Sequence, residues 1–195
     1  MLYILDTANL EAIKHCNEFY PLAGVTTNPS IIAKEKRAII GDDKMFHVQT
    51  TKEKAEEIVE EAKLLKEELG GNFYVKIPIS EEGLKATMLL KGSGVKVTMT
   101  AIFTPAQALL AAKAGAAFVA PYVNRLENIC ADGIGTVSEI AEIFAASGTS
   151  TKILAASFKN SYQVQEMCAY GIGAVTVSPE IFEKSPFELS GGQKQ

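Results

Sequence analysis

A chain of 195 residues and 20.9 kDa, 47% hydrophobic and 22% charged, has the size and make-up of one globular domain with a sizeable core. Its net charge of -4 and pI near 5.3 exclude a general nucleic-acid binder, which would carry a basic face, but leave room for a small anionic ligand in a locally positive pocket. Widely spaced cysteines (Cys16, Cys130, Cys168) without a CxxC, only His15 and His47 as histidines, no signal peptide and no bilayer-length apolar stretch describe a reduced, soluble cytoplasmic protein with no metal site and no membrane partner.

Taken in chain order, short apolar segments at 2–7, 22–28, 45–50, 73–79, 95–103, 117–123, 152–157 and 174–178 read as strands. Amphipathic runs at 9–19, 51–69, 81–90, 105–114, 136–146 and 161–170 read as the helices between them, with glycines such as Gly70, Gly115 and Gly148 at their ends. Only fifteen residues separate Pro29 from the third strand, short for a full helix and two loops, so a trimmed connection is expected there. Strand–helix alternation means a parallel sheet, and eight such strands without a composition break predict a single α/β domain over 1–195, a (β/α)8 TIM barrel. Residues 188–195 are expected to be a disordered or appended tail.

Side chains two apart share a strand face, and in a barrel one face points inward. Counted this way, polar groups collect at the carboxyl ends: Asp6 on the first strand, Thr26 and Asn28 on the second, and His47 and Gln49 on the third. Lys76 follows with Tyr74 on the fourth, Thr98 and Thr100 on the fifth, Tyr122 with Ala120 on the sixth, and Ser157 with Ala155 on the seventh. Active sites of this architecture sit at that rim.

Lys76 is the most informative of these residues, because the run Phe73-Tyr74-Val75-Lys76-Ile77-Pro78-Ile79 is otherwise that of a buried strand. Burial favours the neutral amine, the form that attacks a carbonyl to give a Schiff base. The alternative is a strand-end lysine that reaches to water or pairs with a carboxylate. Asp6 is either part of the site or such a partner, Tyr122 either a proton donor or a ring filling the barrel mouth, and Arg125 either an anion ligand or a solvated loop residue. His47 should sit one layer below Gln49 as core filling. Asp132 and the charges between Glu53 and Glu68 read as solvated faces.

The segments Asp6-Thr7-Ala8, Gly24-Val25-Thr26-Thr27-Asn28-Pro29-Ser30, Val75-Lys76-Ile77-Pro78, Ala120-Pro121-Tyr122-Val123-Asn124-Arg125 and Ala155-Ala156-Ser157-Phe158-Lys159 resemble the small transaldolase family, on its fructose-6-phosphate aldolase branch. The resemblance runs from Leu2 to about Pro186. It departs from the family in the short stretch after Ile32 and in lacking the C-terminal helix beyond Pro186, which in the family packs on a neighbouring subunit. It implies a class I aldolase barrel that cleaves or forms fructose 6-phosphate from dihydroxyacetone and glyceraldehyde 3-phosphate. The alternative is a transaldolase that passes the dihydroxyacetone unit between sugar phosphates of the pentose phosphate pathway. A homo-oligomer, pentamer or decamer, is implied too, with no cofactor.

Carried over by that resemblance, Lys76 is the Schiff-base lysine. Asp6 and Asn28 hold ketose hydroxyls and help proton traffic, with Thr26 among the substrate contacts. Gln49, Thr100 and Tyr122 position water and protons, while Arg125, Ser157 and Lys159 hold the sugar phosphate. Lys159 stands where relatives often carry arginine, and Thr98 where many transaldolases carry asparagine. In transaldolases the place of Gln49 is generally glutamate and that of Tyr122 phenylalanine.

Overall fold

The computed structural model describes residues 1–27 and 33–181. Eight strands alternate with helices: β1 (Leu2–Asp6), α1 (Leu10–Phe19), β2 (Gly24–Thr27), α2 (Ala33–Ile40), β3 (Met45–Gln49), α3 (Ala55–Leu69), β4 (Phe73–Pro78) and α4 (Glu81–Leu90). They continue as β5 (Lys96–Ile102), α5 (Pro105–Ala114), β6 (Phe118–Pro121), α6 (Val123–Glu127), α7 (Gly133–Ser147), β7 (Lys152–Ala155), α8 (Ser161–Ala169) and β8 (Ala174–Val177). Every neighbouring strand pair is parallel, and β8 closes on β1, so the fold is a (β/α)8 barrel as the alternation predicts.

Local chemistry explains where the helices begin and end. Asn9, Ser80 and Asn160 accept backbone N–H groups at the starts of α1, α4 and α8, and Thr104 with Gln107 forms a reciprocal cap ahead of Pro105. Asp132 belongs to this set: its Oδ1 accepts the Gly135 N–H at 2.7 Å and starts α7 three residues earlier than expected, so it is a cap and not a merely solvated charge. The connection after β2 also differs from expectation, since it carries the eight-residue α2 despite its length. Arg37 holds the far end of α2 by donating to the carbonyls of Gly41 and Lys44 at 2.9 and 3.0 Å, with its guanidinium 5.0 Å from the Phe46 ring.

Two cores result from the period-2 alternation. Outward-facing residues such as Val25, Phe46, Val75, Met99 and Val175 pack under the helices. Inward-facing Ile4, Met45, Tyr74, Phe118, Leu154 and Ala174 form a smaller apolar floor inside the barrel. Above that floor the interior becomes polar, with His47, Thr26, Lys76, Thr98 and Thr176 all buried. The barrel is therefore stabilised from below and left chemically equipped at its carboxyl rim.

Close approach of β2 and β3 sets one steric limit. A Cβ on Gly24 would lie 2.1 Å from the Met45 carbonyl oxygen, opposite which Gly24 pairs. Gly24→Ala should therefore lower stability by about 1–3 kcal/mol, the usual penalty for overpacking. A urea melt with an unchanged midpoint would show that the two strands separate at no cost.

Candidate active site

The described rim residues enclose a cavity of about 160 Å³. Its polar lining is Asp6, Thr26, Lys76, Tyr122, Arg125, Ser157 and Thr176, and Ala120, Leu154 and Ala156 complete it. A larger space, about 470 Å³, lies between the starts of α3 and α4, but Glu82 is already spent there in capping α3 through the Ala55 N–H at 2.7 Å. The smaller cavity is the one that brings together chemically useful groups.

Lys76 rises from β4 between Gln49 of β3 and Thr98 of β5, its register partners, and is only 6% exposed. Burial lowers its pKa from the ordinary lysine value, and the Asp6 carboxylate opposes that shift without cancelling it. Asp6 is itself held by a chain of hydroxyls. The Thr26 hydroxyl donates to Asp6 Oδ1 at 2.8 Å, and Thr176 lies 2.7 Å from Thr26. Because the single Thr26 proton goes to Asp6, Thr176 is the donor in the second contact.

The opposite wall is built by the end of β6 and its loop. Tyr122 precedes the short helix α6, and its hydroxyl is 2.7 Å from Thr100 Oγ1. These two meet because β5 changes register between Met99 and Ile102, where Ala101 takes φ 58°, a conformation that non-glycine residues seldom adopt. A bulge of this kind re-aims the side chain beside it. Ser157 also has positive φ, 61°, and its carbonyl accepts the Asn124 N–H at 2.7 Å, which docks α6 and Arg125 at the mouth.

Most of the expected site residues converge. Gln49 stands beside Lys76 at the end of β3 but is not among the cavity-lining residues, and Thr100 joins through Tyr122. The exposed Lys159 does not line the cavity. Asn28 lies outside the described residues, as do the tail at 188–195 and the expected C-terminal departure. The parity count on the seventh strand is corrected: Leu154 and Ala156 face the cavity, whereas Ala155 packs outward, and Ser157 enters only because the chain turns at its positive φ. Thr176 was missed by sequence reasoning, although Ala174 two residues before it carries the inward parity that would have flagged it. His47 is core, as its position suggested. It stacks on Tyr74 at 4.4 Å and 7°, and its Nδ1 lies 2.9 Å from Thr98 Oγ1.

A closed parallel barrel that gathers a buried lysine and convergent polar groups at its carboxyl rim has the layout in which enzymes of this fold build their active sites. The chain belongs to the transaldolase/fructose-6-phosphate aldolase family, whose profile matches residues 3–188. It is 39% identical over 175 residues to a probable fructose-6-phosphate aldolase of Streptococcus pneumoniae, covering 84% of this chain and 79% of the relative. It is 43% identical over 172 residues to a probable transaldolase of Clostridium perfringens, covering 84% and 80%. Membership makes it an aldolase or transaldolase enzyme, consistent with sugar phosphate substrates. Among solved structures, a mandelate oxidase variant superposes with a TM-score of 0.63 over 95% of this chain and 67% of its own, at 12% identity, a likeness of fold alone. Among the described residues no helix is long and apolar enough to cross a membrane.

Proposed function

We propose that the enzyme is a class I aldolase that cleaves or forms fructose 6-phosphate from dihydroxyacetone and glyceraldehyde 3-phosphate. The observation that carries this reading is the Tyr122 hydroxyl, bonded to Thr100 at the wall of the cavity that also contains the buried Lys76 amine. The neutral Lys76 attacks the ketone carbon, and loss of water leaves an iminium. As the C3–C4 bond breaks, its electron pair flows through C2 to nitrogen, giving a neutral enamine. The proton of the C4 hydroxyl leaves to a base or a held water, for which Asp6 and Tyr122 are the candidates. Glyceraldehyde 3-phosphate departs, a proton is delivered to the enamine carbon, and water returns to the iminium to free dihydroxyacetone and restore Lys76. Neither a metal nor a cofactor takes part in this sequence.

Arg125 and Ser157 would receive the phosphate, a planar cation and a hydroxyl at one mouth of the cavity. Thr26, with Asn28 by resemblance, would contact ketose hydroxyls, and Lys159 would add charge from outside the cavity. Gln49 would orient water beside Lys76.

The second reading is transaldolase, favoured by relatives that carry that name. Partition of the enamine separates the two. A proton donor beside the enamine carbon promotes protonation and release, which is aldolase behaviour. Phenylalanine in that place lets the enamine wait for an acceptor aldehyde. With fructose 6-phosphate alone, the enzyme should release free dihydroxyacetone, and erythrose 4-phosphate should divert only a minor share into transfer. The pair Tyr122→Phe with Gln49→Glu should reverse that ratio. Faster transfer than release by the unaltered enzyme would reject the aldolase reading and establish the transferase.

A further inference from the structure

Tyr122 and Arg125 are one turn apart at the start of α6, and the structure places them in direct contact. The Arg125 Cζ lies 4.5 Å from the centroid of the Tyr122 ring. The ring also makes a T-shaped contact with Phe103, with centroids 5.7 Å apart and planes at 88°. Its hydroxyl is fixed at the third point by Thr100, 2.7 Å away. An arginine that served only an anion would have no need of this stack. A guanidinium can, however, do both things at once, because its face rests on an aromatic ring while its N–H edge donates in the plane.

We propose that Arg125, besides receiving phosphate, is a positioning residue for Tyr122, clamping the phenol against Phe103 and Thr100 so that its hydroxyl stays aimed into the cavity. The inference rests on the proton-transfer role given to Tyr122 under the proposed function. Its consequence is that loss of Arg125 slows steps involving substrates that carry no phosphate at all. Without the cation the ring keeps its T-shaped contact with Phe103 but loses the partner on its face. It can then swing toward the mouth, and the hydroxyl spends less time at Thr100.

Lysine is the informative replacement. It keeps a positive charge for an anion and its ammonium can still rest over a ring, as Lys96 does on Tyr74, but it has no planar face to lie flat against the phenol. A stack of this type is worth roughly a 2- to 30-fold factor, depending on how far it is shielded from water.

The test uses dihydroxyacetone alone, in heavy water, and follows by NMR the exchange of its carbon-bound hydrogens, which requires enamine formation and reprotonation but no phosphate. Arg125→Ala should slow this exchange by roughly 2- to 30-fold, and Arg125→Lys by less. Tyr122→Phe should slow it further, and adding Arg125→Ala to Tyr122→Phe should slow it no more. In aldol addition to glyceraldehyde 3-phosphate, Arg125→Lys should raise KM less than Arg125→Ala does. Exchange at the parent rate in Arg125→Ala, or losses that multiply in the double variant, overturns the positioning role while leaving Tyr122 its own. Parent-rate exchange in Tyr122→Phe removes the proton role of Tyr122, and this inference with it.

Discussion

Lys76→Met should abolish turnover and, at neutral pH, leave a more stable barrel. The methionine has a similar length and no amine, so no iminium can form, and a loss on the order of 10⁴-fold or more is expected for removing a covalent nucleophile. The stability gain follows from proton binding. Burial sets the folded-state pKa of Lys76 below its ordinary value. Between the two values the unfolded chain carries a proton that the folded chain lacks, so stability of the parent rises with pH across that interval and is lowest below it. A variant without the titrating group escapes this penalty. Relief at strained functional positions is commonly about 0.5–2 kcal/mol, and here the gain should shrink as the pH climbs toward the ordinary lysine range. Borohydride trapping with dihydroxyacetone, followed by peptide mass mapping, reads the first effect, and thermal melts at pH 7 and pH 10 read the second. An iminium adduct that forms equally well in Lys76→Met would remove Lys76 from the mechanism. A variant less stable than the parent at pH 7 would show that the amine is held by favourable contacts and not merely endured.

The second large effect concerns His47 and acid. This imidazole is fully buried, and desolvation first, then the charges of Lys76 and Lys96, push its pKa down to about 3. The unfolded chain takes up that proton near pH 6.5 while the folded chain refuses it, so stability falls as the pH drops from about 6.5 toward 3. The contribution is on the order of 4–5 kcal/mol, a large part of what a domain of this size possesses. His47→Phe keeps an aromatic ring to stack on Tyr74 and to meet Phe118, and removes the buried Nε2, which has no hydrogen-bond partner among the described residues. It also strands the Thr98 hydroxyl, a penalty of about 1 kcal/mol. The variant should match the parent within about that amount at pH 7.5 and exceed it by several kcal/mol near pH 4. Urea midpoints across that range decide it, and curves that run parallel from pH 7.5 to 4 would show that His47 does not govern acid stability.

Much of the site was legible because strand alternation is a local property. The apolar run around Lys76 predicted both its burial and its inward direction, and the same count aligned Asp6, Thr26, His47 and Tyr122 without any knowledge of their neighbours. The seventh strand defeated the count for an equally local reason. Alternation holds only while the backbone stays extended, and the positive φ of Ser157 ends it one residue after the outward Ala155 and inward Ala156. Thr176 was readable by the same parity, and only the absence of a charged or aromatic group at that strand end hid it.

The barrel, the burial of Lys76 and the polar rim follow from periodicity and residue type along single segments, with no need of contacts between them. Tertiary structure alone decided the partnerships. The hydroxyl chain from Thr176 through Thr26 to Asp6 joins three different strands across 150 residues of sequence between its threonines. The Thr100–Tyr122 contact depends on a register shift between β5 and β6, which is a property of the pair and of neither strand alone. That Arg125 lies on the ring of Tyr122 depends on how the end of β7 docks α6 through the Ser157 carbonyl. Distances between side chains on separate strands are set by barrel closure and register, and no one-dimensional pattern contains them.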